Sequence, residues 1–150
     1  MKISPRKINL FLLAKLPSAF LCGVRLKSIS NAICVTSVKY RWINQNPFNS
    51  LYFAVQAMAS ELSTGALVLK KIQESGNKIS MLVTHNTGSY SKKAVGRITF
   101  TCSDGDLIND AIKKAIETKE GQKITLTSVG IDNEGDEVGK YTYEWSIKAK

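Results

Sequence analysis

Few side chains able to bind a transition metal are present: His85 is the single histidine, and Cys22, Cys34 and Cys102 are odd in number with no CxxC spacing. That excludes a disulfide framework and a zinc site, and it fits a reducing, cytoplasmic compartment. No metal and no cofactor are expected. No apolar run approaches the ~20 residues a membrane span needs. Lys2, Arg6 and Lys7 precede the apolar stretch INLFLLA, but Lys15 and Pro17 interrupt it, so a cleaved signal peptide is not expected. Acidic residues are absent from the first fifty positions, and successive fifties carry +8, +4 and −3. A basic front half suits a polyanionic partner: nucleic acid, an anionic membrane or a phosphate-rich ligand.

What the sequence does have is one long, mostly apolar helix. Asn46, Pro47 and Asn49 are turn formers, Ser50 is a candidate N-cap, and the stretch Leu51 to Gln73 follows with Lys70 and Lys71 near its end. Apolar or small residues cover most of its circumference, which predicts burial on nearly all sides. Tyr52, Gln56, Ser60, Ser63 and Thr64 share one polar sector, expected to hydrogen-bond inside the fold. Glu61 lies outside that sector, beside Ala54, Ala57, Met58, Gly65 and Val68. A carboxylate on such a flank either finds a cation or water, or has its pKa raised at a subunit seam or for chemistry.

The flanking segments read as α+β. Ser4 and Pro5 open a short amphipathic helix over residues 5–15, and residues 1–22 form an N-terminal helical segment. Its Lys and Arg residues fit a membrane-surface helix, but a lid packed on the domain is the preferred reading. Val24 to Ser30 and Ile33 to Trp42 form a hairpin, Ile79 to His85 and Val95 to Cys102 are strands, and Asn86 to Lys93 is a loop or irregular edge. Ser103 or Asp104 caps a surface helix that Gly121 closes, and Lys123 to Ile131 pairs with Lys140 to Lys148. The expectation is one domain over residues 1–150, with a six-stranded antiparallel sheet wrapped around the long helix. The free edge of such a sheet invites a second copy.

The segment NPFNSLYFA followed by an acid in the helix resembles the hotdog-fold thioesterases of the phenylacetic-acid-pathway type. Their motif reads Asn, two residues, Gly-Thr, one residue, His-Gly-Gly, then a catalytic acid. Asn46 falls on the Asn, Asn49 on the first Gly, Ser50 on the Thr, Tyr52 on the His, and Phe53 and Ala54 on the Gly pair. Glu61 falls on the acid, and the resemblance covers about residues 20–148.

This implies hydrolysis of an acyl-CoA or acyl carrier protein thioester, in a groove between subunits of a homodimer or homotetramer. Glu61 would be general base or nucleophile, the Phe53 N–H would hold the oxyanion, and Asn46 would hold the carbonyl or water. Tyr52, Asn49 and Ser50 would line the substrate, and Lys39, Arg41, Lys92 and Lys93 are candidates for phosphates. Phe53 and Ala54 depart from two glycines that let substrate approach the backbone. The alternative is a non-catalytic module that binds an acyl group or acyl-CoA.

Two further readings are set aside. A dehydratase would use His85 as base, and a single-stranded nucleic-acid platform would use Tyr40, Trp42, Tyr141, Tyr143 and Trp145. Alternating aromatics on a strand belong more often to a core, so no nucleic-acid partner is expected.

Overall fold

The computed structural model describes residues 3–150, so Lys2 and the signal-peptide reading that used it lie partly outside the described residues. Helix α1 (Pro5–Lys15) begins where the Ser4 hydroxyl accepts the N–H of Lys7 and Pro5 presets φ. Ile8 and Leu12 point inward and are buried. Asn9 exchanges two hydrogen bonds with the backbone of Leu26, at 3.0 and 2.8 Å, which fastens α1 to the next strand. A short helix, α2 (Pro17–Leu21), follows Pro17.

Strands β1 (Arg25–Ile29) and β2 (Cys34–Lys39) form the expected hairpin. After a 3-10 turn at Trp42–Asn44 comes α3 (Phe53–Ser75), then β3 (Ile79–Tyr90), β4 (Arg97–Cys102), α4 (Gly105–Thr118), β5 (Gln122–Ile131) and β6 (Glu137–Ala149). The six strands make one sheet in the order β1-β2-β4-β5-β6-β3, antiparallel throughout.

The sheet curls around α3, and within the sheet a small residue is needed where β5 passes the Phe100 ring of β4. A Cβ on Gly130 of β5 would stand 2.5 Å from the Phe100 ring on β4, so only glycine fits there. Leu67 and Val68 of α3 are fully buried, each burial contributing roughly 1.5–3 kcal/mol. The polar sector of α3 bonds to the sheet largely as expected. Ser60 Oγ meets Tyr143 Oη at 2.6 Å, Ser63 Oγ meets Ser128 Oγ at 2.8 Å, and Trp145 Nε1 donates to Thr64 Oγ1 at 3.0 Å. Tyr141, Tyr143 and Trp145 are buried in this core, so they form no platform for bases.

Three boundaries differ from expectation. Helix α3 starts at Phe53 with Tyr52 as N-cap, because Ser50 is taken up by the preceding loop and Leu51 forms a bridge with Gln45. Strand β3 runs on to Tyr90 through residues read as a loop, held by backbone pairing with β6 as far as Gly139. Helix α4 ends at Lys119, which takes the left-handed conformation itself, two residues before Gly121.

Strand β3 is a sheet edge, and its residues from Thr84 to Tyr90 are exposed, His85 among them. Cys34 and Cys102 face each other across β2 and β4, buried and free, and burial pushes both thiols up to about 12. Cys22 is also free and half-buried. No helix among the described residues is long and apolar enough to cross a membrane.

Candidate active site

The loop before α3 is organised by Asn46. Its Oδ1 accepts the N–H groups of Phe48 (2.9 Å) and Ser50 (3.2 Å), and its Nδ2 donates to Ser50 Oγ (3.0 Å) and Leu51 O (3.3 Å). Both amide hydrogens are thus used within the loop, which corrects the expectation that Asn46 holds a carbonyl or a water. Ser50 is buried, its hydroxyl donates back to Asn46 Oδ1, and it also lines the cleft at the start of α3. Asn49 adopts φ +57°, the conformation a glycine would take at its place.

This loop delivers the N-terminus of α3 to a cleft of about 530 Å³, lined among others by Tyr52, Phe53, Gln56, Tyr90 and Lys93. The N–H groups of Val55 and Gln56 bond to Tyr52 O at 3.0 and 3.3 Å. Those of Phe53 and Ala54 have no partner among the described residues, as the first turn of a helix leaves them. Two adjacent donors at the positive end of a 23-residue helix suit a developing oxyanion. Phe53 is 55 % exposed, and its ring meets Tyr52 edge to face at 5.0 Å.

Gln56 was missed as a site residue. It was expected to hydrogen-bond inside the fold, yet it is 4 % exposed and its Oε1 has no partner among the described residues. Its position one turn from the free N–H groups is the only signal the sequence offers.

Glu61 stands two turns further along α3, about 12 Å from Phe53 along the axis. It is half-buried, and its carboxylate makes no hydrogen bond or ion pair among the described residues. It lines a separate cavity of about 140 Å³ with Ile8, Phe11 and Leu16 below the lid and Gly65, Met81 and Trp145 opposite. Burial in this apolar setting raises its pKa above the ordinary carboxylate value.

The cations are placed unequally. Lys92 Nζ lies 2.7, 2.6 and 2.8 Å from Asp132, Glu134 and Asp136, in that order. These carboxylates hold its pKa well above the usual lysine value, Asp132 contributing most. Lys92 is therefore committed to carboxylates, contrary to the expectation that it meets phosphate. Lys93 donates to Phe48 O at 3.2 Å on the rim of the cleft and has no carboxylate partner among the described residues.

The α3-wrapping sheet and the segregated helices define the hotdog fold. It superposes on a Pseudomonas aeruginosa protein described as a probable thioesterase, with a TM-score of 0.82 at 18% identity over 97% of both chains. It also superposes on a Chlorobaculum tepidum protein of unknown function (0.82, 17% identity, 99% of both chains). A Haemophilus influenzae thioesterase gives 0.73 at 8% identity, over 99% of this chain and 93% of that one. At these identities the likeness establishes the fold, shared with structures called thioesterases. No family model matches the sequence, and no curated protein matches it.

Proposed function

We propose that the protein hydrolyses acyl thioesters as a homodimer, with each site built from the helix N-terminus of one protomer and the acid of the other. The observation that carries this reading is the separation of the two halves. The free N–H pair of Phe53 and Ala54 opens into one cavity, and the unpaired Glu61 into another two helical turns away.

A two-fold contact along β3 would close that distance. Antiparallel pairing about an axis near His85 sets Met81 of one strand beside Tyr90 of the other. Met81 lines the Glu61 cavity and Tyr90 lines the α3 cleft, so the pairing brings the two cavities together. The exposed β3 edge supports this arrangement, since an uncovered strand of 12 residues presents unpaired backbone groups.

The chemistry then needs no further group. The thioester carbonyl oxygen accepts hydrogen bonds from the Phe53 and Ala54 N–H groups. Glu61 of the partner subunit takes a proton from water as its oxygen bonds to the carbonyl carbon, and the tetrahedral oxyanion is held by the N–H pair. Collapse breaks the C–S bond, and the thiolate takes the proton from the carboxyl. A coenzyme A or carrier-protein thioester would meet Lys93 on the rim of the cleft through its phosphates in place of Lys92, with Lys39 and Arg41, which do not line the cleft, as more distant candidates. The three free thiols support a cytoplasmic setting.

Complementation between two inactive variants tests this. Glu61→Gln removes the base. Phe53→Pro removes one oxyanion donor at the first helical position, where proline is tolerated and where Tyr52 already has ψ 135°. Mixed dimers of the two variants contain one intact site and regain activity. No recovery on mixing would overturn the shared site, and unchanged activity in Glu61→Gln alone would remove the acid from the mechanism. The binding-module reading is favoured by the commitment of the Asn46 amide to its own loop. It predicts acyl-CoA binding by both proteins with turnover by neither.

A further inference from the structure

Helix α1 carries two apolar faces, and only one is accounted for by the fold. Ile8 and Leu12 are buried against the domain. At about 100° per residue Leu10 and Ala14 stand on the opposite side, flanked by Leu13 and Phe11. Leu10 is 66% exposed, Leu13 50% and Phe11 46%, and the connected Leu16 and Leu21 are exposed as well. A helix that only served as a lid would present polar residues outward. The polar residues that do share the outer face are Arg6 and Lys7, both exposed and neither in an ion pair among the described residues.

The charge around this face selects its partner. No acidic residue occurs in the first fifty positions, so neither α1, α2 nor the β1–β2 hairpin supplies a counter-charge. A second copy docked face to face through a two-fold would set the same cations against each other, because such contacts repeat one patch on both sides. A surface that is apolar within and anionic at its boundary satisfies both the leucines and the cations Arg6 and Lys7.

We propose that the outer face of α1, with Leu16 and Leu21, docks the protein on an anionic lipid bilayer. The leucines and Phe11 enter the headgroup and acyl boundary while Arg6 and Lys7 meet lipid phosphates. Phe11 and Leu16 belong both to this face and to the rim of the Glu61 cavity, so docking sets the mouth of that cavity against the lipid. The docking surface stands on exposure and charge alone and does not depend on thioester hydrolysis.

Flotation with vesicles tests it directly. The full chain is mixed with vesicles of phosphatidylcholine alone or of phosphatidylcholine with phosphatidylserine, and sedimentation velocity is run on the same samples without lipid. The wild type floats with the phosphatidylserine vesicles and not with phosphatidylcholine alone. Leu10→Asp combined with Leu13→Asp loses roughly tenfold or more of the bound fraction, as expected for removing buried apolar contact and adding repulsion. Arg6→Glu with Lys7→Glu loses the preference for phosphatidylserine. All four positions are exposed, and unchanged circular dichroism melting confirms that each variant folds. No flotation of the wild type, or equal flotation of the Leu10 and Leu13 variant, overturns the proposal. A smaller assembly for that variant with no flotation of either protein assigns the face to a second copy instead.

Discussion

Glu61 Oε1 lies 3.1 Å from the point a Cβ on Gly65 would occupy, and the Trp145 ring lies 3.1 Å from the same point. Trp145 is pinned by its bond to Thr64, so the carboxylate is the partner that must move when a methyl group is added. Gly65→Ala gains about 0.8–1 kcal/mol of helix propensity, offset in part by the contact. The expected outcome is a melting temperature that holds or rises while thioester turnover falls. Paired melting and steady-state kinetics check it, and unchanged turnover would separate Gly65 from the position of the acid.

The raised pKa of Glu61 has a sign for stability. Between its unfolded and folded values the native state keeps a proton that the unfolded chain has released, so this group's stabilising contribution is present at low pH. It is lost as pH rises through the folded pKa. Glu61→Gln should therefore be at least as stable as the wild type at neutral pH, with the gap closing in acid. Urea titrations of both proteins across a pH series measure this. The same group sets the acid limb of the pH–rate profile above the ordinary carboxylate range, and a limb in that ordinary range would argue against it as base.

Lys92 and Lys93 are neighbours in sequence with different obligations. Lys93→Met should raise KM for a coenzyme A thioester. Lys92→Met should change KM little and act instead on the Asp132–Asp136 turn, whose carboxylates lose their common cation. A larger KM effect at Lys92 would reverse the assignment.

Gln56 offers a test of the cleft. Its Oε1 is buried without a partner among the described residues, so Gln56→Leu should leave the free protein as stable or gain about 1 kcal/mol. A rise in KM for thioester without loss of stability would place the amide against substrate. Loss of stability instead would mean that an ordered water satisfies it.

Tyr143→Phe removes one hydroxyl that bonds both Ser60 Oγ at 2.6 Å and Ala57 O at 3.0 Å. The expected cost is about 1–3 kcal/mol, read by denaturant unfolding, because a buried hydroxyl on α3 loses its cross-sheet partner.

The architecture was legible because α3 is apolar around nearly its whole circumference and must be wrapped, and because the hairpins carry alternating side chains. The start of α3 was not, since Ser50 looks like a cap until Asn46 claims its hydroxyl. The length of β3 was hidden for a different reason: from Asn86 to Tyr90 it is exposed and held by backbone pairing, which leaves no apolar alternation to read. In the site, Glu61 was visible as an acid on a greasy flank. The engagement of Lys92 was not, because its carboxylates arrive from a turn about forty residues later, and no local pattern encodes that meeting.

Cys34 and Cys102 sit side by side on one face of β2 and β4 in the core, protonated and sealed, while Cys22 lies at the foot of α2 with part of its surface open. A thiol-specific dye applied under native conditions should therefore modify one cysteine per chain, and three once the fold is lost. That makes the untouched pair an internal gauge of intactness, and it gives the N-terminal corner a natural attachment point for a fluorophore.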